Sequence, residues 1–383
     1  MEKRNRSASP SNTPRAQRAI RRLERATLPV VSPLTVPQPT GPLPITPCGL
    51  SILSTDTADS LTSLEQDART RIHAYENQSL RDETLLKSGL NAFLTWLPEA
   101  GRTSIARDII GTSSDRELYD VFMNLFTGLA VPMKSRSKAP SVVESPYPKR
   151  QEHVDIVTSL DQPERRDSSF AAQLQLRDTY RCVITGQLNT DQWEHEGEPG
   201  DVHFGPTEGA HIIPSAFASW PGVSGAPRDM SSTWALLYKC FPGLREIISA
   251  EEINTLRNGI TLRDSVHTQF GKFTITLKPT DIENEYEVKT YKRYPSADIL
   301  LIPSNRRVRF LPNTEYEIPC PAILDAHWRM CEIFNASAMG ETIERHRRKW
   351  EELRDSGCAV VREDGTTDLA SLLDIALRGQ VPA

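Results

Sequence analysis

Between Cys182 and Phe270 the chain reads Cys182-Val183-Ile184-Thr185-Gly186, then Ala210-His211-Ile212-Ile213-Pro214, then Asn258-Gly259-Ile260-Thr261-Leu262, with His267 and Phe270 closing the run. Gly186 and Pro214 bound two short apolar runs, which read as strands. Asn258-Gly259 signals a hairpin turn ahead of an apolar third strand. Arg263 to Phe270 then starts a helix, with Asp264 as its N-cap. A further helix over 170–180 feeds the first strand, with Leu174 turned inward and Gln173, Gln175, Arg177 and Asp178 turned outward. The polar residues Asn189 to Gly209 form an exposed connection. Strands and helices follow one another here without repeating βαβ units, so the fold class is α+β.

Three side chains in this stretch carry chemistry. A neutral imidazole at His211 can take a proton from water near pH 7, although a single histidine on an apolar strand is also a common packing residue. His267, on the helix, offers a nitrogen ligand. Asn258 offers an amide oxygen that either binds a metal or locks the strand geometry. A turn residue and a helix residue converging on one strand are the parts of a small metal-assisted phosphodiesterase site.

The constellation resembles the HNH endonuclease family, and within it the fungal and bacterial subgroup whose first motif is Ala-His-Ile-x-Pro. The resemblance covers roughly residues 170 to 275 and rests on His211, Asn258 and His267, supported by Thr185-Gly186, Leu262 and Phe270. It implies a strand-strand-helix metal finger (ββα-metal) embedded in a mainly helical protein. It implies His211 as the water-activating base, with Asn258 beside it as the residue that orients the base or assists the metal. His267 becomes a metal ligand, and one divalent ion, Mg²⁺ ahead of Mn²⁺ or Zn²⁺, stabilises the leaving 3′ oxygen. DNA is the implied substrate, cut to a 5′ phosphate and a 3′ hydroxyl. The chain departs from the pattern at Ala210, where many members carry an Asp or His ligand. Glu208 falls on the same strand face as Ala210 and is the substitute oxygen donor. The zinc-ribbon cysteine pairs of some relatives are missing, which leaves Cys182 as a buried strand residue. The alternative is a catalytically inactive module that keeps the finger as a scaffold for nucleic acid or protein binding.

The rest of the chain sets bounds on these readings. A net charge of -5 excludes a globally basic nucleic-acid binder, so any phosphate contact is local. Arg257, Arg263 and Lys272 flank the motif and are the candidate contacts, with Lys292, Arg293, Arg306, Arg307 and Arg309 as a further basic track. Pro 28 against Gly 20, with only 38% hydrophobic residues, points to extended segments around folded ones. The expected organisation is a disordered basic and Pro-rich tail over 1–55, a helical region over 56–131 and a basic linker over 132–150. A nuclease-like domain over 151–310 and a C-terminal helical region over 311–383 follow. Six widely spaced cysteines without a CxxC pair point to a reducing, intracellular setting, nuclear or cytoplasmic. No signal peptide or membrane span is expected, and homo-oligomer formation is left open.

Overall fold

Apolar residues at three and four spacing between Ser60 and Leu129 fold as four helices: α1 (Ser54–His73), α2 (Leu86–Trp96), α3 (Glu99–Ile110) and α4 (Asp115–Leu125). The computed structural model describes residues 54–134, 168–217, 226–311 and 315–356. The expectations for the N-terminal tail up to 53, for the linker beyond 134 and for the C-terminal region beyond 356 lie outside the described residues. Pro98 ends α2, with Leu97 already extended. Ser114 caps α4 by accepting from Glu117 N, and the Glu117 carboxylate accepts in return from Ser113 N, a reciprocal capping box. A π-turn, Phe126–Ala130, and a further turn, Val131–Met133, extend α4 to Lys134. Lys134, read from sequence as part of a basic linker, is buried. Its ammonium donates to Lys272 O and lies over the Phe273 and Phe334 rings, where a cation is held by the ring faces.

The second half holds helix α5 (Ser168–Arg177) and a parallel pair, β1 (Leu188–Asn189) with β2 (Phe204–Gly205), joined through α6 (Thr190–His195). Then come β3 (Thr207–His211), α7 (Ala226–Cys240), β4 (Gly259–Arg263) and α8 (Asp264–Gly271). Strands β5 (Ile275–Pro279), β6 (Glu285–Thr290) and β7 (Arg307–Arg309) form an antiparallel sheet, the first two as the alternation over 273–277 and 286–291 predicts. The long C-terminal helix breaks at Ala338, which adopts φ 60, into α9 (Pro321–Ser337) and α10 (Met339–Ser356). Helix α9 packs on both β5 and α2, and one apolar cluster runs from Leu90 and Phe122 through Phe270 and Ile275 to Ile333. The site therefore stands on a core shared with the N-terminal helices. No helix among the described residues is long and apolar enough to cross a membrane.

Two local expectations are corrected. Asn258-Gly259 is not a two-residue hairpin turn: Leu256–Asn258 is a 3₁₀ turn, Gly259 is extended at φ -140, and β4 pairs with the distant β3. The hairpin signal failed because the Asn258 side chain is committed elsewhere and Gly259 answers to packing. Residues 182–184 form no strand. Gly186, at φ 74, closes a tight turn by donating to Cys182 O, and Val183 N donates to Thr261 O, tying that turn to the free edge of β4.

Candidate active site

The register of β3 on β4 fixes which residues share a face: Glu208 opposite Leu262, Gly209 opposite Thr261, Ala210 opposite Ile260, His211 opposite Gly259. Alternation then divides the ribbon. Gly209, Gly259 and His211 face α5, where a Cβ on Gly259 would lie 2.5 Å from Phe170 Cζ and 2.7 Å from Leu174 Cδ1. Glu208 faces α8, and buried Ala210, Ile260 and Leu262 share its side of the ribbon. Two thin strands thus carry a helix on either side, each bringing a different histidine environment.

On the α5 side, the half-buried His211 ring stacks on Phe170, centroids 4.3 Å apart and planes at 16°. Its Nε2 lies 2.8 Å from Asn254 Oδ1. Asn258 is fully buried beneath it. Its Oδ1 accepts from Ile213 N at 2.8 Å, and its Nδ2 donates to Ile213 O at 3.0 Å and Ile253 O at 2.9 Å. Of the two roles the sequence left open for Asn258, these bonds fill the locking one: the amide clamps the segment leaving β3 against the loop before β4. Phe170 and Asn254 were missed by sequence reasoning. Phe170 is the first apolar residue of α5 and carried no polar signal, while Asn254 read as one polar residue of a loop.

On the α8 side, His267 Nδ1 donates to Glu208 Oε2 at 2.8 Å. The bond leaves Nε2 of that ring as the atom with the lone pair, the arrangement by which a carboxylate presents a metal-binding histidine. Asp264 is the first helical residue rather than the N-cap; its carboxylate accepts from Ser265 N, still within the first turn. Among the described residues no group of three or more His, Cys, Asp or Glu side chains gathers as a metal cage. His267 Nε2 is the one nitrogen offered to a divalent ion, which would draw the remainder of its shell from water and phosphate oxygens; Glu208, expected from sequence as a ligand, stands behind the ring on Nδ1 and orients it instead. Ala210 adds no donor.

The scaffold around both faces is polar and buried. Arg177 and Asp178, expected on the outside of their helix, form an ion pair with side chains 3% and 5% exposed. The guanidinium donates to Leu256 O and Gly259 O, and Asp178 Oδ2 accepts from Thr261 N. The end of α5 is thereby fastened to β4, because backbone groups that the two-stranded ribbon leaves unpaired take the charged side chains as partners. Behind α8, His327 lies between the Phe270 and Phe273 rings at 3.7 and 4.6 Å, with Nδ1 3.0 Å from Thr276 Oγ1 and Nε2 3.3 Å from Phe270 O. Burial pushes its pKa down to about 3, so the ring is neutral.

The three flanking cations have different surroundings. Arg263 donates to Gln187 Oε1 and lies 3.7 Å from Asp264, which holds it against the Thr185-Gly186 turn. Arg257 lines a cavity with Tyr316 and Pro319, and its carbonyl accepts from Cys320 N. The backbone of Lys272 receives Lys134, as described above.

Residues 182–278, a quarter of the chain, match the family described as HNH endonuclease. The match spans the β3–β4–α8 unit and its two histidines. No curated protein and no solved structure matches the chain.

Proposed function

We propose that the β3–β4–α8 unit is a nuclease site that hydrolyses DNA phosphodiester bonds, with His211 as general base and a divalent ion at His267, whose ring Glu208 orients. The observation that carries this reading is the ordering of both imidazoles within one family-matched ribbon. Each has one ring nitrogen engaged and a defined plane or partner, at 2.8 Å from Asn254 and 2.8 Å from Glu208. Ordering of this kind is what a proton acceptor and a ligand require before substrate arrives.

The chemistry is a hydrolysis in which the His211 imidazole accepts a proton as water oxygen bonds to phosphorus and the P–O3′ bond breaks. The 3′ oxygen leaves and is protonated from solvent, giving a 5′ phosphate and a 3′ hydroxyl. Asn258 holds the end of β3 so that the ring stays at its station. A bound divalent ion would supply positive charge to the phosphate and the leaving oxygen. Glu208 aligns His267 for that ion, and the surrounding arginines and lysine add local positive charge for the strand.

Metal dependence tests the reading. Purified protein should nick supercoiled plasmid with Mg²⁺ or Mn²⁺ and stop when a chelator is added, and His267→Ala should raise the metal concentration needed for half-maximal rate at least tenfold. Nicking that persists in chelator would sink the metal part of the proposal. The competing reading, a noncatalytic module, draws on Ala210 and on the absence of a metal cage among the described residues. It requires DNA binding that survives substitution of both histidines.

A further inference from the structure

We infer that the cavity between Arg257 and Tyr316 is a subsite for one unpaired nucleotide of the DNA strand, its phosphate on the Arg257 guanidinium and its base against the Tyr316 ring. The inference rests on DNA being the substrate of the proposed nuclease. The cavity has a volume of about 420 Å³, within the range of pockets that take a small organic ligand. Its walls differ in kind. Arg257 supplies a cation that makes no hydrogen bond or ion pair among the described residues, whereas the guanidinium groups of Arg177 and Arg263 are both committed within the fold. Tyr316, Ile318 and Pro319 supply aromatic and apolar surface, with Pro319 buried and the other two half-buried. Glu317 also lines the cavity, and a carboxylate there counts against a bare anion. A nucleotide carries its charge at one end and a π face with N–H donors at the other, which suits a cation, an aromatic ring and an acceptor gathered in one cavity.

Both walls are set before any ligand arrives. Arg257 O accepts from Cys320 N at 2.9 Å, and one nitrogen of the buried Arg177 guanidinium donates to Leu256 O at 2.8 Å and to Glu317 O at 3.3 Å. The segment carrying the cation and the segment carrying the ring are thereby stapled together beside the cavity, which lowers the ordering cost of binding. The same loop reaches the proposed base. Asn254 Oδ1 lies 2.8 Å from His211 Nε2, and Arg257 follows three residues later, a stretch of chain that spans at most about 11 Å. A strand attacked beside His211 thus passes the cavity within a few nucleotides. The wall from Tyr316 to Pro319 lies outside the residues matched to the HNH endonuclease family, so the match does not account for it.

The test follows the anisotropy of a short fluorescein-labelled DNA single strand bound by the full chain in chelator, where no metal-dependent cutting occurs. Tyr316→Ala should weaken binding about 5- to 150-fold, and Tyr316→Phe, which keeps the ring without the hydroxyl, should bind as the wild type does. A strand of equal length with abasic sugars lacks the stacking partner, so on it the wild type and Tyr316→Ala should bind alike. Arg257→Gln should lower the slope of log Kd against log salt by about 0.7, the loss of one single-strand phosphate contact. Tyr316→Ala binding the natural strand as tightly as the wild type would overturn the inference. So would an equal loss on both strands, which marks Tyr316 as structural, an unchanged salt slope in Arg257→Gln, or a wild type that binds neither strand. The nuclease reading fails separately. Tyr316-dependent binding by a protein that nicks no plasmid with Mg²⁺ or Mn²⁺ would keep the subsite and sink the cleavage, whereas nicking without Tyr316-dependent binding would do the reverse.

Discussion

Gly259 shows how closely the His211 environment is packed. Its φ of -140 is open to any residue, so the glycine is required by space: the Phe170 ring edge and Leu174 occupy the volume a methyl group would need. Gly259→Ala should cost about 1–3 kcal/mol in urea denaturation, the usual penalty for overfilling a tight contact. It should also slow nicking, because the displaced ring is the one that His211 stacks on. Stability equal to wild type would show that Phe170 can yield, and that the stack is looser than the geometry implies. The same position shows where sequence reading fell short. Asn258-Gly259 carried a strong local turn signal, and both residues do matter. The pressure on them comes from Ile213, Phe170 and Leu174, all distant in sequence, and no local pattern encodes those contacts.

At the level of elements, α5 determines how firmly the ribbon is held. A two-stranded sheet is marginal alone, and the Arg177–Asp178 pair fastens it by bonding to Leu256 O, Gly259 O and Thr261 N. Arg177→Met should destabilise the protein by about 3–5 kcal/mol, since it strands a buried carboxylate without its partner. Arg177→Lys should rescue little, having no fork with which to reach several oxygens at once. A loss below about 1 kcal/mol in either variant, read by chemical denaturation, would contradict that role. The helical character of the N-terminal region, the presence of α8 to within a residue of its start and the β5–β6 alternation were legible from periodicity. The pairing of β3 with β4 was not, because the partners are separated by α7 and its loops. Arg177 was misread because a charged side chain is normally solvated, and here backbone acceptors of β4 replace the water. His211, Asn258 and His267 were grouped from sequence as a candidate set, and their division between two faces of the ribbon needed the register.

Across the whole molecule, the N-terminal helices, the ribbon and α9 share one core, and His327 lies where α8, β5 and α9 meet. Its folded pKa of about 3 lies below the ordinary 6.5, so between those values the unfolded chain binds a proton that the folded chain refuses. The contribution is complete above pH 6.5 and is lost progressively as pH falls toward 3. His327→Gln should therefore reduce the slope of unfolding free energy against pH by one proton between pH 4 and 6, and an unchanged slope would show that the ring is solvated. This buried histidine supports α8, while the half-buried His211 on the other side of the ribbon is the proposed base. The most direct measurement compares nicking of supercoiled plasmid by the purified wild type and His211→Ala, with Mg²⁺ and with chelator. With His211 as the base, the wild type should show metal-dependent nicking and the variant a loss of at least about a hundredfold, with its folding intact. Equal nicking by the two proteins would contradict the assignment of His211 as the base.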